Sequence, residues 1–361
     1  MRAAVLTEIP GKLEIDDVQI DNPGPREVLI RTEAAGLCHS DLHFMEGKYP
    51  WMLPTVLGHE SAGVVEKVGD QVTYVQPGDH VITCLSVYCG NCDHCLTGHL
   101  SLCENKQAVQ RPLEAPQRLT RNGETMWQFF DLSSFAEMML VHEHAIVKIR
   151  PDMPLDRAAL IGCGVTTGVG AVFNTAKVEP GTTVAVIGCG GIGLNCIQAA
   201  YIAGAARVIA VDRIAEKLEL AKTFGATDVV DASAGSAVGQ VQEMTGGGVH
   251  YAFEAIGLKA TAEEAFGMLR RGGTATVIGM IPMGQNVEIH GFELLLEKKL
   301  QGSNMGSNRF RVDMPRYIDL YMDGRLKLDE LVSQRISLSD VNEGFEAMKT
   351  GSVARSVILF D

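Results

Sequence analysis

Two packing rhythms in one chain predict an α/β protein of two domains. Three observations carry that prediction: short β-like runs up to about Val147, alternation of strand and helix after Pro151, and a length of 361 residues, more than one ordinary core supports. The first domain is expected over 1–164, completed by the tail 305–361, as a compact barrel or sandwich of antiparallel strands. The second, over 165–304, is expected as a doubly wound parallel sheet.

Hydrophobic residues at 46% and charged residues at 21% are the balance of a soluble folded chain, which excludes disorder. A net charge of −13 repels phosphate backbones and anionic lipid, so no nucleic-acid or membrane partner is expected. The opening residues reach Glu8 and Pro10 too soon for a signal-peptide core, and no apolar run approaches the ~20 residues of a membrane span. A cytoplasmic location is the resulting expectation. Nine cysteines in such a chain point to metal ligation before disulfides, with at least one thiol unpaired.

In the first domain, runs at 28–32, 63–68 and 80–83 are strand-like and bounded by Gly, Pro and Asp, and Pro77-Gly78-Asp79 is a turn. From 104 to 131 periodicity is lost, which reads as a long surface loop or lobe. His142 and His144 alternate as on a strand face and read as solvated; His80 starts a strand. After Pro151, strands are expected at 183–187, 207–211, 251–254 and 274–278, and helices at 194–203 and 215–224, the latter ending at Gly225. The tail offers helices at 314–322 and 341–350 and a last strand, 356–360, that returns to the first domain.

Gly188-Cys189-Gly190-Gly191-Ile192-Gly193 follows a predicted strand and opens a predicted helix, and Asp212 ends the next strand. In that context G-x-G-x-x-G is a dinucleotide fingerprint: Gly188, Gly190, Gly191 and Gly193, with Ile192, bring the backbone against a pyrophosphate at a helix N-terminus. Asp212 accepts ribose hydroxyls and repels a 2′-phosphate, which selects NAD over NADP, although Arg213 beside it could greet a phosphate. Lys217, a helical turn on, is a further candidate for the ribose.

Cys89, Cys92, Cys95 and Cys103 form C-x2-C-x2-C-x7-C, with Gly90 and Gly98 letting the loop fold around an ion. Four thiolates and no open position describe a structural zinc site. The spacing misses the iron–sulfur run, whose fourth cysteine comes earlier and precedes a proline. His94 and His99 read as exposed bystanders.

Three further stretches hold isolated polar or thiol residues: Cys38-His39-Ser40-Asp41-Leu42-His43, His59-Glu60 and Cys163 between two glycines. Taken with the cysteine loop and the glycine fingerprint, in this order, they resemble the zinc-containing medium-chain alcohol dehydrogenases over essentially the whole length. The resemblance implies a GroES-like catalytic domain with a Rossmann coenzyme domain inserted. It implies Cys38, His59 and Cys163 as ligands of a catalytic zinc, with Glu60 as an acid able to approach the metal. Ser40 and His43 become a proton relay through the nicotinamide ribose, while Thr167 and Arg355 fall where coenzyme is contacted, Arg355 at the pyrophosphate. His39 stands where several relatives carry an arginine near that pyrophosphate. Zinc lowers the pKa of a bound oxygen acid from about 16 toward ~7, the step an alcohol needs at neutral pH.

The implied activity is NAD-dependent oxidation of a primary or secondary alcohol with two zinc ions per chain, in a homodimer or homotetramer. Leu85, Phe129, Phe130, Met280 and Ile281 are candidate lining of an apolar, roomy pocket. The alternative substrate is the formaldehyde adduct of a thiol such as glutathione or mycothiol, which would need anion-binding arginines, with Arg111, Arg118 and Arg121 as candidates. A non-catalytic nucleotide-binding redox sensor is a third reading. Cys84 and Cys196 read as core residues, and Cys189 as a small residue in the glycine loop.

Overall fold

The computed structural model describes residues 1–350 and 354–360. Its contacts divide the chain into two units: 1–164 with 309–324 and 328–361, and 165–308 with 325–327.

The first unit is β-rich. The strand Glu27–Gly36 is its centre, pairing antiparallel with Ser61–Val68, Met138–His142 and Arg355–Leu359. The sheet runs on through His80–Thr83 and Ile146–Lys148 on one side and Val332–Ile336 on the other. Val28, Ile30, Val65, Val81, Met139 and Val141 alternate inward along these strands and form one core, as a half-buried sheet requires. A second six-stranded sheet carries Arg2–Leu6, Leu13–Asp17 and Thr55–Val56. Two pairings are parallel, Thr55–Val56 with Glu124–Gln128 and Val332–Ile336 with Arg355–Leu359, so the unit is not wholly antiparallel. The last strand does rejoin this unit, through Val357 opposite Gly36.

The stretch expected to be an aperiodic lobe contains a hairpin, Leu119–Arg121 with Glu124–Gln128. Asn122 and Gly123, at φ 52° and 85°, make the two-residue turn. Both take left-handed φ, as a hairpin turn that follows strand twist demands. The polar residues around them hid it.

His142 and His144 are not solvated. His142 is 7% exposed, and burial, followed by the nearby charges of His144 and Arg26, pushes its imidazole pKa down to about 3. His144 stacks flat on Tyr88, rings 4.4 Å apart, and bonds the Tyr88 carbonyl through Nδ1 at 2.8 Å. Tertiary packing overrode a polar-looking strand end.

In the second unit, six parallel strands run in the order Asp228–Asp231, Arg207–Asp212, Thr183–Ile187, Val249–Glu254, Leu269–Val277, Lys299–Gly302. Numbered along the chain that is 3-2-1-4-5-6, the doubly wound order whose direction reverses beside Thr183–Ile187. Val184 to Ile187 and Val208 to Val211 are buried throughout, as in strands covered on both faces.

One helix was not foreseen. Residues Leu155–Ala176 form a continuous helical stretch of 22 residues, long and apolar enough to cross a membrane, yet 83% of its apolar window is buried in the fold. It is a core helix. Its glycines disguised it, and they are there for close approach: a Cβ on Gly164 would sit 2.4 Å from Arg355 Nη2. Within it, Ile161–Val165 is a π-helical turn, a local irregularity that often marks function, and it carries Cys163.

Candidate metal centres and coenzyme site

Cys38 is the N-cap of the short helix His39–Met45. Asp41, in that helix's first turn, reaches back so that its Oδ2 accepts the Cys38 backbone N–H at 3.2 Å, while its Oδ1 accepts the Gly58 N–H at 3.1 Å. The same carboxylate lies 3.1 Å from His59 Nδ1, and both side chains are wholly buried. A buried carboxylate there fixes the imidazole with its proton on Nδ1 and turns Nε2 outward as a lone pair. Among the described residues, His59 Nε2 is a buried nitrogen with no hydrogen-bond partner.

That orphaned nitrogen and the sulfurs of Cys38 and Cys163 lie within 4.8 Å of one another. The Cys38 thiol is held well below its ordinary range, first by the hydrogen bond from Cys163 and then, against burial, by His59 and Arg355. Two thiols and an imidazole converging in a buried site have the chemistry of a three-ligand zinc centre with an open fourth position. Asp41 was missed in the sequence. Its signal was the spacing of a capping acid three residues after Cys38.

Glu60 is not one of that ligand group. Its Oε2 accepts the Gly164 N–H at 3.1 Å, and burial, opposed by the charge of Arg355, lifts its carboxyl pKa to about 7. Arg355 itself is buried, donating to the Leu37 carbonyl at 3.2 Å, so it lies among these groups rather than on the surface. Ser40 Oγ stands 3.6 Å from Cys38 Sγ. Ser40 and His43 are three residues apart on one helix and therefore share a face. His43 is half-buried, its Nδ1 has no hydrogen-bond partner among the described residues, and burial followed by the charge of Lys48 pushes its pKa down, leaving it neutral. His39, the first residue of the helix, is exposed.

The four-cysteine loop closes as its spacing suggests. Sulfur separations are 3.4 Å for Cys92–Cys95, 3.9 Å for Cys89–Cys95 and 4.0 Å for Cys92–Cys103. A disulfide would need about 2 Å, whereas a tetrahedral zinc with ~2.3 Å bonds places its sulfurs roughly 3.8 Å apart. Backbone N–H groups of Cys89 and Asn91 point at the Cys103 and Cys89 sulfurs, as thiolates invite. Gly90 and Gly98 take φ of 86° and 82° to bring the loop round. His94 faces Glu104 and His99 faces Thr97, both outside the cluster.

In the second unit Gly190 is the N-cap of the helix Gly191–Ile202. A Cβ on Gly193 would lie 1.7 Å from the Gly188 carbonyl oxygen, whereas one on Gly190 would meet nothing within 4 Å. Gly193 thus serves helix–strand packing, and Gly190 faces an open cradle of the kind a pyrophosphate fills. Asp212 is held rigidly by the N–H groups of Cys189 at 2.7 Å, Arg213 at 2.7 Å and Ile214 at 3.0 Å, so it does not turn away. Lys217 is in the first turn of Ala215–Thr223. Thr167 is buried, its hydroxyl against Met305 Sδ at 3.4 Å. Cys84, Cys189 and Cys196 are all buried.

These are the features of two family models, the alcohol dehydrogenase GroES-like domain, matched over residues 24–152, and the zinc-binding dehydrogenase, matched over 191–322. An alcohol dehydrogenase class-3 of Cereibacter sphaeroides is 39% identical, covering 99% of both chains. The chain belongs to the zinc-dependent medium-chain alcohol dehydrogenases. An S-(hydroxymethyl)glutathione dehydrogenase of Paracoccus denitrificans is 37% identical, also over 99% of each chain. Among solved structures, a benzyl alcohol dehydrogenase from Acinetobacter calcoaceticus superposes with a TM-score of 0.94 at 33% identity, covering 100% of this chain and 99% of that one. The family binds zinc, and the two cysteine-containing clusters fit a catalytic and a structural ion.

The arginines considered for an anionic substrate are engaged elsewhere. Arg111 donates to Glu27, Asp21, Asn22 and Pro116. Arg118 donates to Glu27, Gln128 and the Val109 carbonyl, and Arg121 pairs with Asp16.

Proposed function

We propose that this protein is an NAD-dependent zinc alcohol dehydrogenase, interconverting a primary or secondary alcohol with its aldehyde or ketone. The observation that carries the reading is the convergence of Cys38, His59 and Cys163, with His59 Nε2 buried and lacking a protein partner. Zinc held by Cys38, His59 and Cys163 would supply a Lewis acid for the alcohol oxygen, and NAD on the glycine loop would supply the hydride acceptor.

The protein's own groups do the rest. Asp41 keeps His59 in the tautomer that offers Nε2. Ser40 and His43, on one helix face, accept the alcohol proton and hand it to solvent, and a neutral His43 is able to take it. Gly188, Gly190, Gly191, Ile192 and Gly193 cradle the coenzyme phosphates, Asp212 and Lys217 read its adenosine ribose, and His39, Thr167 and Arg355 complete the coenzyme contacts. Cys89, Cys92, Cys95 and Cys103 hold the structural ion. Glu60, held against Gly164, is the acid able to approach the metal from outside the three-ligand set. Domains 1–164 with 305–361 and 165–304 divide these tasks, in a cytoplasmic homodimer or homotetramer.

A thiol-adduct substrate is the competing reading, supported by relatives named for it. It is disfavoured because Arg111, Arg118 and Arg121 are paired internally. The test is NADH formation with benzyl alcohol, hexanol, and formaldehyde plus glutathione or mycothiol, each with NAD and with NADP. Turnover of the free alcohols with NAD is expected. Turnover only of the thiol adduct overturns the reading, as does no turnover at all.

A further inference from the structure

We infer that the preferred substrate is a neutral aromatic alcohol and that Phe130 and Trp51 select it, an inference that rests on the alcohol dehydrogenase reading above. The first unit holds a cavity of about 290 Å³. That is the small end of ligand cavities and suits one substituted ring. Trp51, Trp127 and Phe130 present flat rings among its lining, with Leu85 and Met126 also in it.

Phe130 ties this cavity to the metal ligands. Its ring centroid is 5.7 Å from that of His59, edge to face, and 5.1 Å from that of Trp51. The backbone accepts strain to put it there: Phe130, Asp131 and Ser133 all take left-handed φ, at 51°, 61° and 59°. Such conformations in non-glycine residues persist only where surroundings enforce them, and they gather at functional sites. Here Ser133 Oγ accepts the Phe129 N–H at 2.9 Å and donates to the Val56 carbonyl at 2.8 Å, and Asp131 accepts from Gln110 at 2.8 Å.

The cavity's charges favour a neutral guest. Arg111 and Arg118 line it but are neutralised by Glu27 and Asp21, and the other two charged residues of the lining, Lys106 and Asp131, are of opposite sign. A carboxylate-bearing adduct finds no uncommitted guanidinium. An aromatic ring gains edge and offset contacts with Trp51 and Phe130 that an alkyl chain of similar area does not, a difference of about tenfold.

The experiment compares kcat/KM of the zinc-loaded enzyme for benzyl alcohol, hexanol and S-(hydroxymethyl)glutathione. Phe130→Gly removes the ring while keeping a residue at ease in left-handed backbone; Trp51→Leu reads the same ratio should the first variant not fold, as judged by melting and zinc content. The wild type should favour benzyl alcohol over hexanol by about tenfold, and the variants should reduce that ratio by about the same factor. Equal use of the two alcohols, preference for the thiol adduct, or an unchanged ratio in the folded variants overturns the inference. A wild type that oxidises no alcohol defeats the functional reading instead.

Discussion

Asp41 Oδ1 lies 3.1 Å from His59 Nδ1 while Asp41 Oδ2 accepts the backbone N–H of Cys38, so one buried carboxylate orients two of the three proposed zinc ligands. Replacing it with asparagine keeps the shape but removes the charge and the preference for a proton on Nδ1. Asp41→Asn should weaken the catalytic zinc by ~10- to 100-fold and leave the structural ion in place. Zinc retained against a graded chelator measures this, and an unchanged profile would show that Asp41 only caps the helix.

The four-cysteine site predicts a stability effect separable from chemistry. Cys103→Ser should lose one zinc per chain, retain the other and melt at a lower temperature. An ion held at about a thousand times its Kd contributes ~4 kcal/mol, so the loss should be plain in thermal or urea unfolding. A variant that keeps both ions and its melting temperature would remove the assignment.

How legible the molecule was depended on what set each feature. Strand Thr183–Ile187 and helix Val341–Thr350 follow from local pattern alone, and the cysteine spacing announces a closed loop. Helix Leu155–Ala176 did not announce itself, because glycines such as Gly164 are there to admit a distant arginine and weaken the helical pattern. The hairpin at Asn122-Gly123 carries a turn dipeptide but poor alternation on either side, which is why the stretch reads as a loop. Asp41 draws no reading of its own in the sequence, because its role comes from Gly58 and His59 folded over it. Arg355 reads as a coenzyme contact, and its burial against Leu37 becomes visible only once the last strand is placed. Arg355 turned on a contact 318 residues away, whereas the partners of Asp41 lie only 17 and 18 residues from it.

Coenzyme choice turns on Asp212, fixed by three backbone N–H groups. Two like charges ~4 Å apart at an effective dielectric near 20 repel by roughly 4 kcal/mol, nearly a thousandfold. Asp212→Ala should therefore improve NADP relative to NAD in kcat/KM by about two orders of magnitude or more. Comparable use of the two coenzymes by the wild type would contradict the role given to this residue.

Acid stability should depend on Glu27. Burial alone would raise its pKa, but the hydrogen bond from Arg111 and the charge of Arg118 outweigh it and bring the carboxyl to about 2. A folded pKa below the unfolded value of about 4.3 stabilises the protein above that pH, and the contribution is lost as pH falls from there toward 2. His142 acts in the same direction: buried and neutral, with a pKa near 3, it loses stabilisation as pH falls below about 6.5. Glu27→Gln leaves the buried Arg118 and the half-buried Arg111 short of a partner and should cost about 3 kcal/mol at neutral pH while flattening the acid limb of the stability curve. Urea midpoints between pH 3 and 7 read both; an unchanged slope would mean these pairs are not coupled to folding.

The central claim, that Cys38, His59 and Cys163 hold a catalytic zinc distinct from the four-cysteine ion, is tested most directly by metal content measured beside activity. The wild type should carry two zinc ions per chain, and Cys163→Ala should carry one and lose alcohol oxidation while keeping its fold. One zinc per chain in the wild type, or NAD-dependent alcohol oxidation that survives in Cys163→Ala, would contradict it.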